Sequence, residues 1–213
     1  MSENLKGKTI SGLFWQFCQK GVGQVVSFGI SVILARLLMP EEFGLVALAG
    51  MFTVLTGIFI DCGMGTALVQ KKDADDLDYS TMFWAQTAFS IIVYIIVFSL
   101  APWFSLLFQM PKLAIVIRVS ALSMILGTFG GIQSVIVTRR MEFKVYFYRT
   151  FISSILSGAI GIYLAFCGWG VWALVTQNLS SIIISTITVF SQVRWIPQLT
   201  FSKERFKALF GVE

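Results

Sequence analysis

No histidine occurs among the 213 residues, so Ser–His triads, histidine-bound metals and imidazole acid–base chemistry have no residues to build on. The three cysteines, Cys18, Cys62 and Cys167, stand far apart in or beside apolar runs. Without CxxC spacing they read as small buried hydrophobes rather than as a disulfide framework or a zinc site. Gly7-Lys8-Thr9 imitates the end of a phosphate-binding loop, but Ser2 stands where the first glycine belongs and no strand precedes it. Asp73, Asp75, Asp76 and Asp78 form an acidic cluster. An EF-hand would need Gly and Glu where Asp78 and Trp84 stand, so the cluster reads as a solvated loop. No metal ligand set, cofactor or catalytic residue is expected.

What remains are charges and amides embedded in apolar stretches. An ionised side chain near a bilayer centre costs at least about 2.5 kcal/mol unless it is paired or wet. Lys20, Asp61 and Arg118 lie inside such stretches, and Arg36 lies at the end of one. Snorkelling to head groups accounts well for Arg36 and adequately for Lys20 and Arg118, but less well for the short Asp61. Gln16, Gln19, Lys20, Gly23 and Gln24 make one side of the first apolar stretch polar, which suits a wet cavity better than lipid. Lys20, Arg118, Gln16 and Gln24 are therefore the candidate substrate-binding residues, with Asp61 a coupling or structural charge.

The elements that must carry these residues follow from composition. The chain is 56% hydrophobic and only 13% charged, and its mean hydropathy is +0.82, where a soluble domain is nearer a quarter charged. At about 20 apolar residues per crossing, six spans use almost the whole chain, at roughly 13–37, 43–66, 81–108, 113–138, 147–166 and 171–192. The expectation is an all-α, polytopic membrane protein with a six-transmembrane-helix bundle over 1–195 and a linker over 196–213. The first span lacks a small-x-small cleavage site and reads as retained rather than as a signal peptide.

Orientation follows from the basic residues. With the N-terminus inside, the inner set is Lys6, Lys8, Lys20, Lys71, Lys72, Arg139, Arg140, Lys144, Arg149, Arg194, Lys203, Arg205 and Lys207, against Arg36, Lys112 and Arg118 outside: thirteen to three. Both termini are then expected in the cytoplasm, in a bacterial inner membrane. Trp15, Trp84 and Trp195 fall at inner ends and Trp103, Trp169 and Trp172 at outer ends, as interfacial belts require. The net charge of +5 fits membrane lipids as partners. Without a basic stripe interleaved with aromatics, nucleic acid is not expected. Ser154/Gly158 and Ser157/Gly161 give small-xxx-small spacings in the fifth span, read as close packing between spans.

Several runs, in this order, resemble the lipopolysaccharide/colanic-acid exporter group of the polysaccharide transporters, oligosaccharide flippases of the multidrug/oligosaccharidyl-lipid/polysaccharide exporter superfamily. They are Ala35-Arg36-Leu37-Leu38-Met39-Pro40-Glu41-Glu42-Phe43-Gly44, Asp61-Cys62-Gly63-Met64-Gly65-Thr66-Ala67-Leu68-Val69-Gln70, Phe83-Trp84, Ala101-Pro102, Arg139-Arg140-Met141-Glu142-Phe143 and Gly168-Trp169-Gly170-Val171-Trp172-Ala173-Leu174-Val175. The resemblance implies export of undecaprenyl-pyrophosphate-linked oligosaccharide units for surface polysaccharide, by a fold of two six-helix lobes arranged as parallel repeats. This chain corresponds to the N-terminal lobe. Phe201-Ser202-Lys203-Glu204-Arg205-Phe206-Lys207 resembles the linker into a seventh span, so the expected partners are a lipid-linked oligosaccharide and either a missing C-terminal lobe or a second copy. On that view the anionic head is drawn by Lys20 and Arg118. The alternatives are a cation-coupled small-molecule exporter of the same superfamily, disfavoured by the mostly basic embedded charges, and a non-transporting lobe that scaffolds polysaccharide-assembly enzymes. An enzyme such as a membrane glycosyltransferase would need a carboxylate-rich catalytic loop, and the aspartate cluster does not supply one.

Overall fold

The computed structural model describes residues 2–61, 65, 68–69, 74–140, 143–193, 195–198 and 200–202. The regular structure among them is helical: α1 Ser2–Leu37, α2 Pro40–Asp61, α3 Asp76–Leu107, α4 Pro111–Ser120, α5 Leu122–Arg140, α6 Phe143–Phe166 and α7 Val171–Val193. Among the described residues, six stretches are long and apolar enough to cross a membrane, α4 and α5 together forming one of them, Pro111–Arg140. The chain is a multi-pass membrane protein.

The helix ends have local causes. Pro40 opens α2 with its fixed φ, and Glu42 reaches back to accept the Met39 N–H at 3.1 Å. At the start of α3 the buried Asp78 carboxylate accepts the Asp75 N–H at 3.2 Å. The expected solvated loop therefore ends earlier than residue 80: Asp75, Asp76 and Asp78 serve the N-terminus of α3, where carboxylates satisfy free N–H groups and oppose the helix dipole. Gln109, at φ 54°, closes α3, with Met110 N–H bonded to Ser105 O at 3.0 Å. Gly168 and Gly170, at φ 77° and 55°, form the tight turn between α6 and α7. α1 begins well before the expected residue 13, because hydropathy marks the hydrocarbon span and not the helix. Cys167 is exposed rather than buried.

Helix order in space differs from order in sequence. α1 packs along α6, α6 along α7, α7 along α5, α5 along α3, α3 along α4, and α4 along α2, which also meets α7 and α3. One apolar cluster joins α2, α3, α4 and α7 through Ala49, Val97, Leu113, Ile117 and Val175. A second joins α3, α5 and α7 through Met82, Phe83, Ile132, Ile136 and Val189. A third lies at the α1–α2 turn, where Leu34 and Leu38 meet Ala165, Ala173 and Leu174 beside Phe43 and Val46. There α1 and α2 come together; away from it they diverge, α1 following α6 and α2 following α4 and α7.

Candidate functional site

The space opened by that divergence is the candidate site. Its floor is α7, whose polar positions Gln177, Ser181 and Ser185 recur every fourth residue and so share one face. Two adjoining hollows of about 350 and 120 Å³ run along this face and share Ser154 and Ser181, and two more, of about 320 and 210 Å³, lie beside it against α2 and α5. Ile182 borders the three larger ones, and Asn178 borders the two smaller. One wall comes from α1 and α6, with Ser27, Ser153, Ser154 and Ser157. The other comes from α2, α4 and α5, with Thr53, Ser120, Ser123 and Thr128. The two hollows on the α7 face are lined mainly by hydroxyls and amides, whereas the two beside it are mostly apolar, with Ile60 and Met124 in one and Val46, Val54, Val175 and Leu179 in the other.

Small residues on α6 let its walls close. A Cβ on Gly158 would overlap Ile30 of α1, and one on Gly161 would lie 2.9 Å from Gln177 Cβ of α7. The small-xxx-small pattern thus packs α6 between two neighbours in the same chain. Gly23 of α1 fits against Thr150 of α6, 3.0 Å from Thr150 Cγ2 to an added Cβ.

Arg149 holds the end of the groove nearest the start of α6. It stands six residues into α6, about 9 Å along the axis, and is half-buried. Its Nε donates to Ser185 Oγ at 2.6 Å and one terminal nitrogen donates to Ser134 Oγ at 2.5 Å. It lines the 350 Å³ hollow with Tyr146, Thr150 and Ser153. Sequence reasoning placed Arg149 among the inner-side charges and missed it as a site residue. Its position beside the every-fourth-residue polar face of α7 appears only once α6 and α7 pair. On α5, Gln133 is fully buried, and neither amide atom has a hydrogen-bond partner among the described residues.

The expected site residues are not brought together as a set. Lys20 and Gln24 are exposed on α1. By helical spacing they share a face with Ser27, which borders the groove, and Lys20 lies one turn from the Gly23–Thr150 contact. Arg118 is elsewhere: its Nε donates to Phe98 O at 3.2 Å and its guanidinium covers the Phe98 ring 4.2 Å from the centroid. This cation–π contact ties α4 to α3 outside the groove. The side chains of Gln16 and Asp61 lie outside the described residues.

The hollows on the α7 face offer a hydroxyl-rich path with arginine at one end, suited to a polar, anionic solute. The comparisons with known proteins agree in class. The chain is 28% identical over 210 residues to the succinoglycan biosynthesis transport protein ExoT of Rhizobium meliloti (strain 1021), covering 98% of this chain and 42% of that protein. It is 26% identical over 160 residues to the lipopolysaccharide biosynthesis protein WzxC of Escherichia coli (strain K12), covering 73% and 31%. It is 23% identical over 193 residues to the teichuronic acid biosynthesis protein TuaB of Bacillus subtilis (strain 168), covering 88% and 39%. The chain spans less than half the length of these curated relatives. No solved structure matches it. Residues 33–212 match the family described as polysaccharide biosynthesis protein, and the chain belongs to that family.

Proposed function

We propose that this chain is the N-terminal lobe of a flippase that moves undecaprenyl-pyrophosphate-linked oligosaccharides across the bacterial inner membrane, with both ends of the lobe in the cytoplasm. The observation that carries the reading is the continuous polar groove on α7, with Arg149 fixed at one end. Glycan hydroxyls exchange water for serine, threonine and amide partners at little cost, and the diphosphate gains a charge-assisted contact with a forked donor. The basic end of the bundle, which faces the cytoplasm on the charge-bias rule, is where Arg149 sits. Lys20 stands on the face of α1 that continues into the groove and is assigned to attracting the diphosphate. Gln24 extends the same path, and Gln16 and Asp61 stay assigned as substrate-binding and coupling or structural positions. Arg118 was expected to share the role of Lys20, but its contact with Phe98 makes it the weaker candidate. The second lobe, supplied by further chain or by a second copy, covers the open side of the groove.

The test is flipping of a fluorescent lipid-linked oligosaccharide in proteoliposomes carrying the full gene product. Replacing Lys20 and Arg149 together by alanine is expected to slow flipping at least about tenfold, the loss expected when roughly 1.4 kcal/mol of binding is removed. Arg118→Ala is expected to have the smaller effect. Unchanged flipping in the Lys20/Arg149 variant overturns the assignment of the groove.

A further inference from the structure

The 320 Å³ hollow against α2 and α5 has two properties that helix packing does not explain. The first is an unmet amide. Gln86 of α3 is only 6% exposed, borders the hollow and has no hydrogen-bond partner among the described residues. Its Oε1 lies 3.6 Å from where a Cβ on Gly131 of α5 would stand, on the hollow's own wall. A buried amide without a partner is costly, and native folds supply one from the protein or from a bound molecule.

The second is room that no helix contact needs. Gly57 of α2 and Gly127 of α5 border the same hollow, and a Cβ on either would meet no described atom within 4 Å. They differ in this from Gly158 and Gly161, which let neighbouring helices approach. Glycine inside a helix is less favourable than alanine, so what it contributes at 57 and 127 is open volume.

The lining is of two kinds. Ile60, Met124 and Ile182 are apolar. Against them stand the Gln86 amide, the Ser123 hydroxyl, also without a partner among the described residues, and two threonines. Thr53 and Thr128 donate to Ala49 O at 3.0 Å and Ile125 O at 2.8 Å, which leaves their oxygens free to accept. An isoprenoid chain would cover the apolar side chains and leave the amide unmet. Water would meet the amide and keep the apolar side chains wet. A pyranose ring does both: its C–H face lies on the aliphatic side chains, and its hydroxyls donate and accept at Gln86 and Ser123. The volume is at the lower end for small-molecule sites, about 300–1,000 Å³, which suits one ring rather than a whole repeat unit. Ile182 also borders the hollow of Arg149, so a ring held here neighbours a diphosphate held there. We propose that this hollow is a sugar subsite, taking one pyranose residue of the transported glycan with Gln86 as the group that recognises it. The subsite rests on the reading of the chain as a flippase lobe.

The test is native mass spectrometry of the full gene product, titrated in detergent with two lipids: undecaprenyl diphosphate bearing a glucose disaccharide, and undecaprenyl diphosphate alone. The glycosylated lipid is expected to bind about tenfold more tightly, the gain from a net hydrogen bond to a desolvated partner. Gln86→Leu is expected to remove that preference and to leave the affinity for the bare lipid within about twofold. Gly127→Leu fills the hollow from an exposed position and is expected to do the same, so it carries the test should Gln86→Leu not fold. Gly44→Leu, exposed and outside the hollow, is expected to keep the preference. Equal binding of the two lipids by the unaltered protein overturns the subsite, as does a preference that survives Gly127→Leu. Equal weakening of both lipids in Gln86→Leu and Gly127→Leu also overturns it and gives the hollow to the polyprenyl chain. An unaltered protein that binds neither lipid refutes the flippase reading itself, and the subsite falls with it.

Discussion

Glycine at position 170 answers two separate demands. Its φ of 55° lies in the left-handed region, and a Cβ there would overlap the Glu42 carboxylate at the start of α2. Gly168, with φ 77°, meets only the first demand, because nothing lies within 4 Å of its added Cβ. Gly168→Ala should therefore cost about 1 kcal/mol of stability from backbone strain alone, and Gly170→Ala more than that, about 2 kcal/mol. The check is unfolding in mixed micelles, where combining Gly170→Ala with Glu42→Ala should recover the difference. Gln133 makes the opposite case. A buried amide with no partner carries a desolvation cost of about 1–3 kcal/mol. Gln133→Leu should leave stability unchanged or raise it, in the same unfolding measurement; a loss above about 1 kcal/mol would mean that the amide holds a bound water the fold needs. The turn at 167–170 was legible as the short gap between the fifth and sixth spans, but Glu42 as the neighbour of Gly170 was not, since the two are brought together only by the meeting of α1, α2, α6 and α7.

At the scale of elements, α1 depends on α6 for nearly all of its packing. Gly158 lets Ile30 in. Gly158→Val should loosen α1 by about 1–3 kcal/mol through overpacking, seen as faster proteolysis near the N-terminus, and Ile30→Ala in the same chain should restore protection. The elements themselves were readable, because 18 or more apolar residues with few charges are visible in any hydropathy window. The helix ends were less so. Asp76 and Asp78 look like loop residues by composition and prove to be the first turn of α3, because carboxylates suit that position as well as they suit solvent. The break at Ala121 within the fourth crossing gave no signal, since alanine is the best helix former. Arg149 shows the limit most clearly. Counting basic residues tells which side a residue belongs to, but not whether its side chain turns outward to head groups or inward to Ser134 and Ser185. The every-fourth-residue run Gln177, Ser181, Ser185 was the available signal, though Thr176, Asn178, Ser180 and Thr186 on the same span blur it.

Taken whole, the molecule is a bundle with its polar groove on an open side. α1 and α2, which flank that side, carry many exposed apolar side chains, among them Val25, Phe28, Val54 and Ile58. Those faces suit lipid or a second lobe, and the relatives are more than twice as long. If the chain is a flippase lobe as proposed, the anionic head of a lipid-linked oligosaccharide travels in the groove and not along the lipid-facing side of α3. The most direct measurement is photo-crosslinking of the full gene product by a lipid-linked oligosaccharide with a photoreactive group on the sugar next to the diphosphate. Labelled peptides are expected to contain Arg149 to Ser157 of α6 and Gln177 to Ser185 of α7. Labelling confined to the exposed Ile91–Phe98 face of α3, with α6 and α7 unmarked, would contradict it.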